Sequence, residues 1–401
     1  TVISVLLLFT ACTKTEVIEV PGEKDSSEET ADTLNDNTSD EGTSTPISTT
    51  PQTISGKVVD GYIRNAFACI DLNNNNECDG EEVYTKTDST GGYALIVPGS
   101  TDLSSARVLV SGGVDNSTGK PFIAIMKAPL PGGAGENIFV TPLTTVVVAR
   151  VDRNKDKEVQ SKSLKALNDE SVVNQAIADV ASSLGLNSSV ITKDPIATGD
   201  ALLLSVTLQV QKTIEVLAEA EKASGETNRT KATARIALAL AEQFDGTIRA
   251  FDAIVDDAVK SDALSQKTAL ENTKLLAQTM AKKVALVIES NHAQTLTESV
   301  MNDIGGITAL IQDEAESLID NNRANLAVAN NVISAATMDS KFDITSLLIS
   351  SDGTGNVSIL EAARVGRIFS LIGYEPTKND PVFRVFRDIS ADMTVESFKV
   401  V

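Results

Sequence analysis

Short apolar–polar alternations occupy the middle of the first half of the chain, and long runs at helical spacing fill the second. Ile54–Val59, Ala66–Ile70, Val83–Thr87 and Tyr93–Val97 alternate between Gly, Asn and Asp breaks, which predicts antiparallel strands. Phe122–Met126 predicts one more strand. Ser111–Gly113 and Pro131–Gly135 are glycine-rich, but neither runs into the Gly-Lys-Ser/Thr and helix that a phosphate loop needs, so they predict turns. At Thr141–Pro142 the period changes, with Thr as N-cap and Pro as first helical residue of a helix through Leu143–Val151. Helical spacing returns over Val172–Leu184, Ala201–Ala223, Lys231–Val259, Leu264–Ser290, Ala293–Ile319 and Arg323–Ala336, with breaks at 185–200, 224–228 and 261–262. Ala-rich stripes such as Ile236–Ala241 allow close helix packing and are too broad for strict heptads. The expected fold class is therefore multidomain β plus α: a small antiparallel β-sandwich followed by an Ala-rich antiparallel helical bundle. No uninterrupted apolar run reaches the roughly 18 residues of a membrane span.

The region before the first strand has a different grammar. Val2–Phe9 is a short apolar run of signal-peptide length ending in Thr10-Ala11-Cys12. Small residues before a cysteine resemble the bacterial lipobox, which implies cleavage before Cys12 and a lipid on its thiol; an ordinary signal peptide with a stray cysteine is the alternative. The absent basic flank and initiator Met read as truncation at the start, and Thr13 after the cysteine implies outer-membrane sorting. From Thr13 to Gln52 ten acidic residues stand against two basic ones with few large apolar side chains, so nothing offsets the entropy of ordering. A random tether of this length reaches about 35 Å. The expected organisation is signal peptide 1–11, lipidated cysteine and tether 12–52, β module 53–140, helical domain 141–340 and a C-terminal segment 341–401.

Composition narrows the function classes. With 55 acidic and 34 basic residues the net charge is −21, which argues against nucleic acid as a partner. The single histidine, His292, removes clustered-imidazole metal sites and most imidazole catalysis; it reads as an exposed helix residue. No nucleophile elbow, HExxH, P-loop or nucleotide fingerprint occurs, so no catalytic residue is assigned.

One stretch carries specific chemistry. Asp71, Asn73, Asn75, Asp79 and Glu82 stand at positions 1, 3, 5, 9 and 12 of a twelve-residue loop, and Glu77 supplies the position-7 carbonyl. That is the oxygen spacing of an EF-hand calcium loop. Asn76 replaces the usual Gly at position 6, a residue that tolerates left-handed backbone better than most. Because the flanks are strand-like, the loop joins strands rather than helices, and a structural Ca2+ is preferred to a sensor; the alternative is a solvated polar turn. Setting Cys12 aside leaves Cys69 and Cys78 as an even pair, predicting a disulfide across the loop. Asp152–Glu158 is acidic but crowded by lysines and disfavoured as a metal loop. A second candidate offers Asp352, Thr354, Asn356 and Glu361; there Ser358-x-x-Glu361 also reads as a capping box opening a helix at Ile359.

Ile54-Ser-Gly-Lys-Val-Val-Asp-Gly61, Ile70-Asp-Leu-Asn73, Asp79-Gly-Glu-Glu82 and Thr87-Asp-Ser-Thr-Gly-Gly-Tyr93 resemble the prealbumin-like β-sandwich modules of bacterial surface proteins, related to carboxypeptidase-regulatory and Cna B-type domains. The resemblance covers Ile54 to about Val110 and implies a scaffold in an exported protein, without supplying an activity. A complete set of Lys–Asn isopeptide residues is not seen. Thr141–Thr145 and Lys193-Asp-Pro-Ile196 before a long Ala-rich helix are similar to uncharacterised exported bacterial proteins. The expected function is a non-enzymatic, lipid-anchored surface protein in adhesion or envelope structure. It would contact the membrane through its lipid and a protein or surface partner, or itself. A subunit of an extracellular filament or layer is the alternative, and a ligand-binding protein or unrecognised hydrolase the third.

Overall fold

The computed structural model describes residues 50–133, 135, 137–159, 167–291 and 298–341. Cys12, most of the tether, His292 and the 352–361 loop lie outside them. Antiparallel strands come first and helices follow, as the hydrophobic pattern predicts. β1 (Gln52–Lys57) pairs with β5 (Gly92–Val97), and β2 (Ile63–Arg64) with β7 (Val114–Asp115). β3 (Phe67–Asp71), β4 (Tyr84–Lys86), β6 (Arg107–Ser111) and β8 (Ile125–Pro129) form a sheet in the order β4-β3-β6-β8. The tether expected through Gln52 thus gives way to a strand at Gln52, whose backbone pairs with Val97.

β5 buries Tyr93, Leu95 and Val97 and exposes the residues between them, so its alternation was readable. Its buried side chains join Ala68, Ile70, Val108, Val110 and Met126 in one apolar cluster. β6 and β8 do not alternate, because the four-stranded sheet is covered on both faces. Its second face carries Cys69, Leu109 and Ile125, with Ala234 of a later helix against them. Strands buried on both sides read as continuous apolar runs. β6 was accordingly missed, and the strand expected at Phe122–Met126 falls at Ile125–Pro129, after a bridge between Val114 and Pro121.

The helices are α1 (Pro142–Val159), α2 (Glu170–Ser183), α3 (Ala201–Ala223), α4 (Arg229–Gln243), α5 (Phe251–Ala258), α6 (Lys267–Asn291), α7 (Glu298–Asn321) and α8 (Ala336–Lys341). Thr141 caps α1 as expected: its Oγ1 accepts the Thr144 N–H at 3.1 Å, and the Thr144 Oγ1 accepts the Thr141 N–H at 2.8 Å. The Thr144 hydroxyl also donates to the Lys127 carbonyl at 2.8 Å, and Thr145 Oγ1 accepts the Lys127 N–H at 2.9 Å. The Thr-Pro-Leu-Thr-Thr run therefore fastens α1 to β8. α1 runs on through the acidic stretch from Asp152, which rules out a metal loop there.

Two helix expectations need correction. Lys231–Val259 is two helices, because Phe244 caps α4 fully buried and Gly246 takes φ +90°. Arg323–Ala336 is a 3-10 turn at Arg323–Asn325 followed by non-helical chain with Asn330 at φ +63°. Leu143, Val147, Leu204, Leu217, Leu240, Phe244, Met280 and Ile311 belong to a second apolar cluster, distinct from that of the strands. α3 has the length and mean hydropathy, 1.3, of a membrane span, yet 83% of that window is buried inside the protein.

α3 also meets the β module. Lys212 Nζ lies 2.9 Å from Glu215 and 3.7 Å from Asp60 in the turn after β1, all three buried. Asp60 Oδ1 has no hydrogen-bond partner. Burial raises the Asp60 carboxyl to about 7 against the pull of Lys212, with Glu215 and Asp115 adding to the rise. The folded value exceeds the unfolded one, so the native state holds a proton the unfolded chain has released. That contribution is complete below about pH 4 and is lost as pH rises through 7. The unfolding free energy of the parent minus that of Asp60→Asn, from denaturant titrations, should fall between pH 4 and 7 by up to about 1.4 kcal/mol per pH unit and then level off. A difference that rises over this window would contradict the assignment.

Candidate metal centre

The Asp71–Glu82 loop connects β3 to β4, as its flanks predict. Cys69 and Cys78 are joined by a disulfide with Cα atoms 5.8 Å apart. Asn74 and Asn76 take φ of +58° and +69°, so the Asn at position 6 makes the left-handed turn usually left to glycine.

The loop is wound on hydrogen bonds between its own ligand-type groups. Asn73 Oδ1 accepts the Asn75 N–H at 2.9 Å and Asn75 Oδ1 the Glu77 N–H at 2.8 Å. The amides of Asn73 and Asn75 both donate to Asp79 Oδ2, at 2.7 and 2.8 Å. Glu82 accepts the Leu72 N–H at 2.8 Å and the Asp79 N–H at 3.1 Å, clasping the two ends. Asp71 is fully buried: Oδ2 accepts the Asn76 N–H at 3.2 Å, while Oδ1 has no partner. Asp71, Asn73, Asn75, Asp79 and Glu82 are thus linked through one loop. Among the described residues no three carboxylate, thiolate or imidazole groups converge on one point. A cation here would need Asn73 and Asn75 to exchange amide nitrogen for oxygen, and Asp79 to trade its amide donors for the ion. Asp71 Oδ1 is already free.

Beneath the loop lies a charged layer that sequence reasoning missed. Arg107, opposite Asp71 in the β3–β6 register, is fully buried; it donates to Asn168 Oδ1 at 2.6 Å and lies 3.5 Å from Asp152. Lys127 of β8 is buried and donates to Asn76 Oδ1. Burial raises the Asp71 carboxyl despite the opposing pull of Lys127. Burial likewise lowers Lys127, against the attraction of Asp152 and Asp71, and lowers Arg107, against Asp152. The available signal was one basic residue in each of the apolar runs Arg107–Val110 and Ile125–Pro129, a placement that demands a buried partner. Lys127, Asn76 and Asp152 line a cavity of about 210 Å³ with Arg235 and Leu238.

No family model, curated protein or solved structure matches the chain.

Closing a loop of about ten residues stabilises by about 2 to 3 kcal/mol in the chain-entropy account. Replacing both cysteines, Cys69→Ala with Cys78→Ser, should lower the unfolding free energy by about that much. Denaturant titration checks it, and an unchanged midpoint would show the crosslink to be energetically idle.

Proposed function

We propose that the chain is a non-enzymatic, exported, lipid-anchored protein of the bacterial cell surface. Its prealbumin-like β-sandwich is fastened by a structural calcium loop and joined to an antiparallel helical bundle, and together they serve as a structural or adhesion module. The observation that carries this reading is Asp71 Oδ1, a buried carboxylate oxygen without a partner inside a disulfide-closed loop of EF-hand spacing. Such an atom costs free energy unless something fills its coordination, and calcium is a cation whose oxygen ligands fit this set. Asp71, Asn73, Asn75, Asp79 and Glu82 would hold it with the Glu77 carbonyl, and its role would be to rigidify. The disulfide supports export, because such bonds persist in oxidising compartments. The residues Thr10-Ala11-Cys12 support the lipid anchor.

A second reading, the filament or layer subunit, draws support from the edge strand β4. There Tyr84 is 60% exposed and its ring centroid lies 6.5 Å from that of Phe67, itself 44% exposed. Electron microscopy of purified protein separates the readings, since polymers would favour assembly.

Weak extracellular sites bind calcium at about 0.1 to 1 mM. At 10 mM calcium the full chain should then gain about 1 to 3 kcal/mol relative to chelator, read as a rise in Tm and as heat in calorimetry. Asp71→Asn should abolish both; a parent protein indifferent to calcium would overturn the metal. Mass spectrometry of protein extracted from its native membrane should find Cys12 acylated at the mature N-terminus. An unmodified later start would overturn the anchor.

A further inference from the structure

On another side of the β module, a cleft of about 640 Å³ opens among five segments. Lys57, Gly61, Tyr62 and Arg64 come from one stretch, the end of β1, the turn after it and β2, and Ser89 and Thr90 from the turn before β5. Asn116 and Ser117 follow β7, Ile196 precedes α3, and Met301 and Asn302 belong to α7. The volume is that of a small-molecule site. The Asp71–Glu82 loop contributes nothing to its lining.

Four features make the cleft a built site. First, Tyr62 holds φ +58°, a conformation rare for a bulky side chain and concentrated at functional positions. It is locked there by its hydroxyl, which donates to Asp194 Oδ2 at 2.9 Å, and by its carbonyl, which accepts the Asn116 N–H at 3.2 Å. Asp194 is itself fixed by the Ile196 and Ala197 N–H groups, both at 2.9 Å. Second, the floor is tight: a Cβ at Gly61 would overlap Asp115 and Ser117, and one at Gly305 would overlap Ser117. Third, Lys57 and Arg64 form no salt bridge here among the described residues, although Asp88 lies within electrostatic reach of Lys57, in a chain of net charge −21. Arg64 gives one guanidinium N–H to Asn116 Oδ1 at 2.6 Å, and Lys57 Nζ sits 4.7 Å from the Tyr62 ring centroid. Asn116 in turn donates to the Ser89 carbonyl at 2.8 Å, which fixes the amide that orients Arg64. Fourth, Ser89, Thr90 and Ser117 add hydroxyl groups to the wall, while Tyr62, Ile196 and Met301 are its apolar members.

We propose that this cleft binds a hexuronate, with Arg64 and Lys57 receiving the carboxylate and Ser89, Thr90, Ser117 and Asn302 meeting the ring hydroxyls. A guanidinium held by a neighbouring amide presents paired donors that match a carboxylate. Arg and Lys receive phosphate as well as carboxylate, so inorganic phosphate is the competing ligand. The hexuronate arrives either as a free monosaccharide or as a residue of an acidic polysaccharide, and both present the same chemistry.

Calorimetry on the full chain at fixed calcium tests this with D-galacturonate, its tetrasaccharide, D-glucose and inorganic phosphate. At least one acidic sugar should bind with a Kd at least tenfold below that of glucose. Arg64→Gln should weaken that binding at least tenfold with an unchanged Tm, and Lys57→Gln serves if that variant does not fold. Asp71→Asn should bind as the parent does, which separates this cleft from the calcium loop. A tetrasaccharide more than tenfold tighter than the monosaccharide identifies polymer as the source; comparable affinities identify free sugar. No binding of either acidic sugar, equal binding of glucose, competition by phosphate at equal concentration, or indifference to Arg64→Gln and Lys57→Gln would each overturn the proposal.

Discussion

The sheet β4-β3-β6-β8 is denied water on both faces, and much of the architecture follows from that constraint. One face buries Ala68, Ile70, Val108, Val110 and Met126 against β1 and β5, and the other buries Cys69, Leu109 and Ile125 toward the helices. A strand so placed has no solvent side for polar residues, so any charge it carries must be satisfied internally. Arg107 and Lys127 are such charges, and their surroundings supply Asn168, Asp152, Asn76 and the field of Asp71. Asn168 is the hub of this layer. Its amide donates to the Leu103 and Ala106 carbonyls while its oxygen accepts from Arg107 and from the Leu130 N–H at 3.2 Å. A residue in the connection between α1 and α2 thereby closes the end of the sheet.

The same constraint explains which elements were legible in the sequence. β5 meets water on one side, so Tyr93, Leu95 and Val97 alternate with exposed residues and the strand could be read directly. β6 has Arg107–Val110 wholly buried and carries no period to read. α3 was placed to the residue because local chemistry marks both ends. Asp200 accepts the Leu202 and Leu203 N–H groups at 3.0 Å, and Gly225 takes φ +119° just beyond its last turn. The break between α4 and α5 was hidden because Phe244 looks like one more apolar residue of a helical stripe, whereas it turns inward as a cap.

The candidate metal loop was legible in its covalent and local parts. Spacing alone placed the ligand types, the disulfide and the left-handed turn at Asn76, since all three depend on residues within the loop. The support beneath it was not, because Arg107, Lys127 and Asp152 lie 36, 56 and 81 positions along the chain from Asp71. Sequence distance conceals such contacts, and only strand register brings Arg107 opposite Asp71.

The Tyr62 cleft shows the same division between local signal and tertiary meaning. Lys193-Asp-Pro-Ile196 was visible as a motif before a long helix, but its carboxylate acquires a role only through Tyr62, 132 positions earlier. That single hydroxyl-to-carboxylate bond ties the β module to the approach to α3, and Lys212 of α3 returns the connection to Asp60 two residues before Tyr62. Holding Asp60 and Tyr62 from both directions fixes the turn between β1 and β2. A left-handed tyrosine persists only where its surroundings over-determine it; here the helical half supplies that restraint, so the cleft exists only when both halves are packed together.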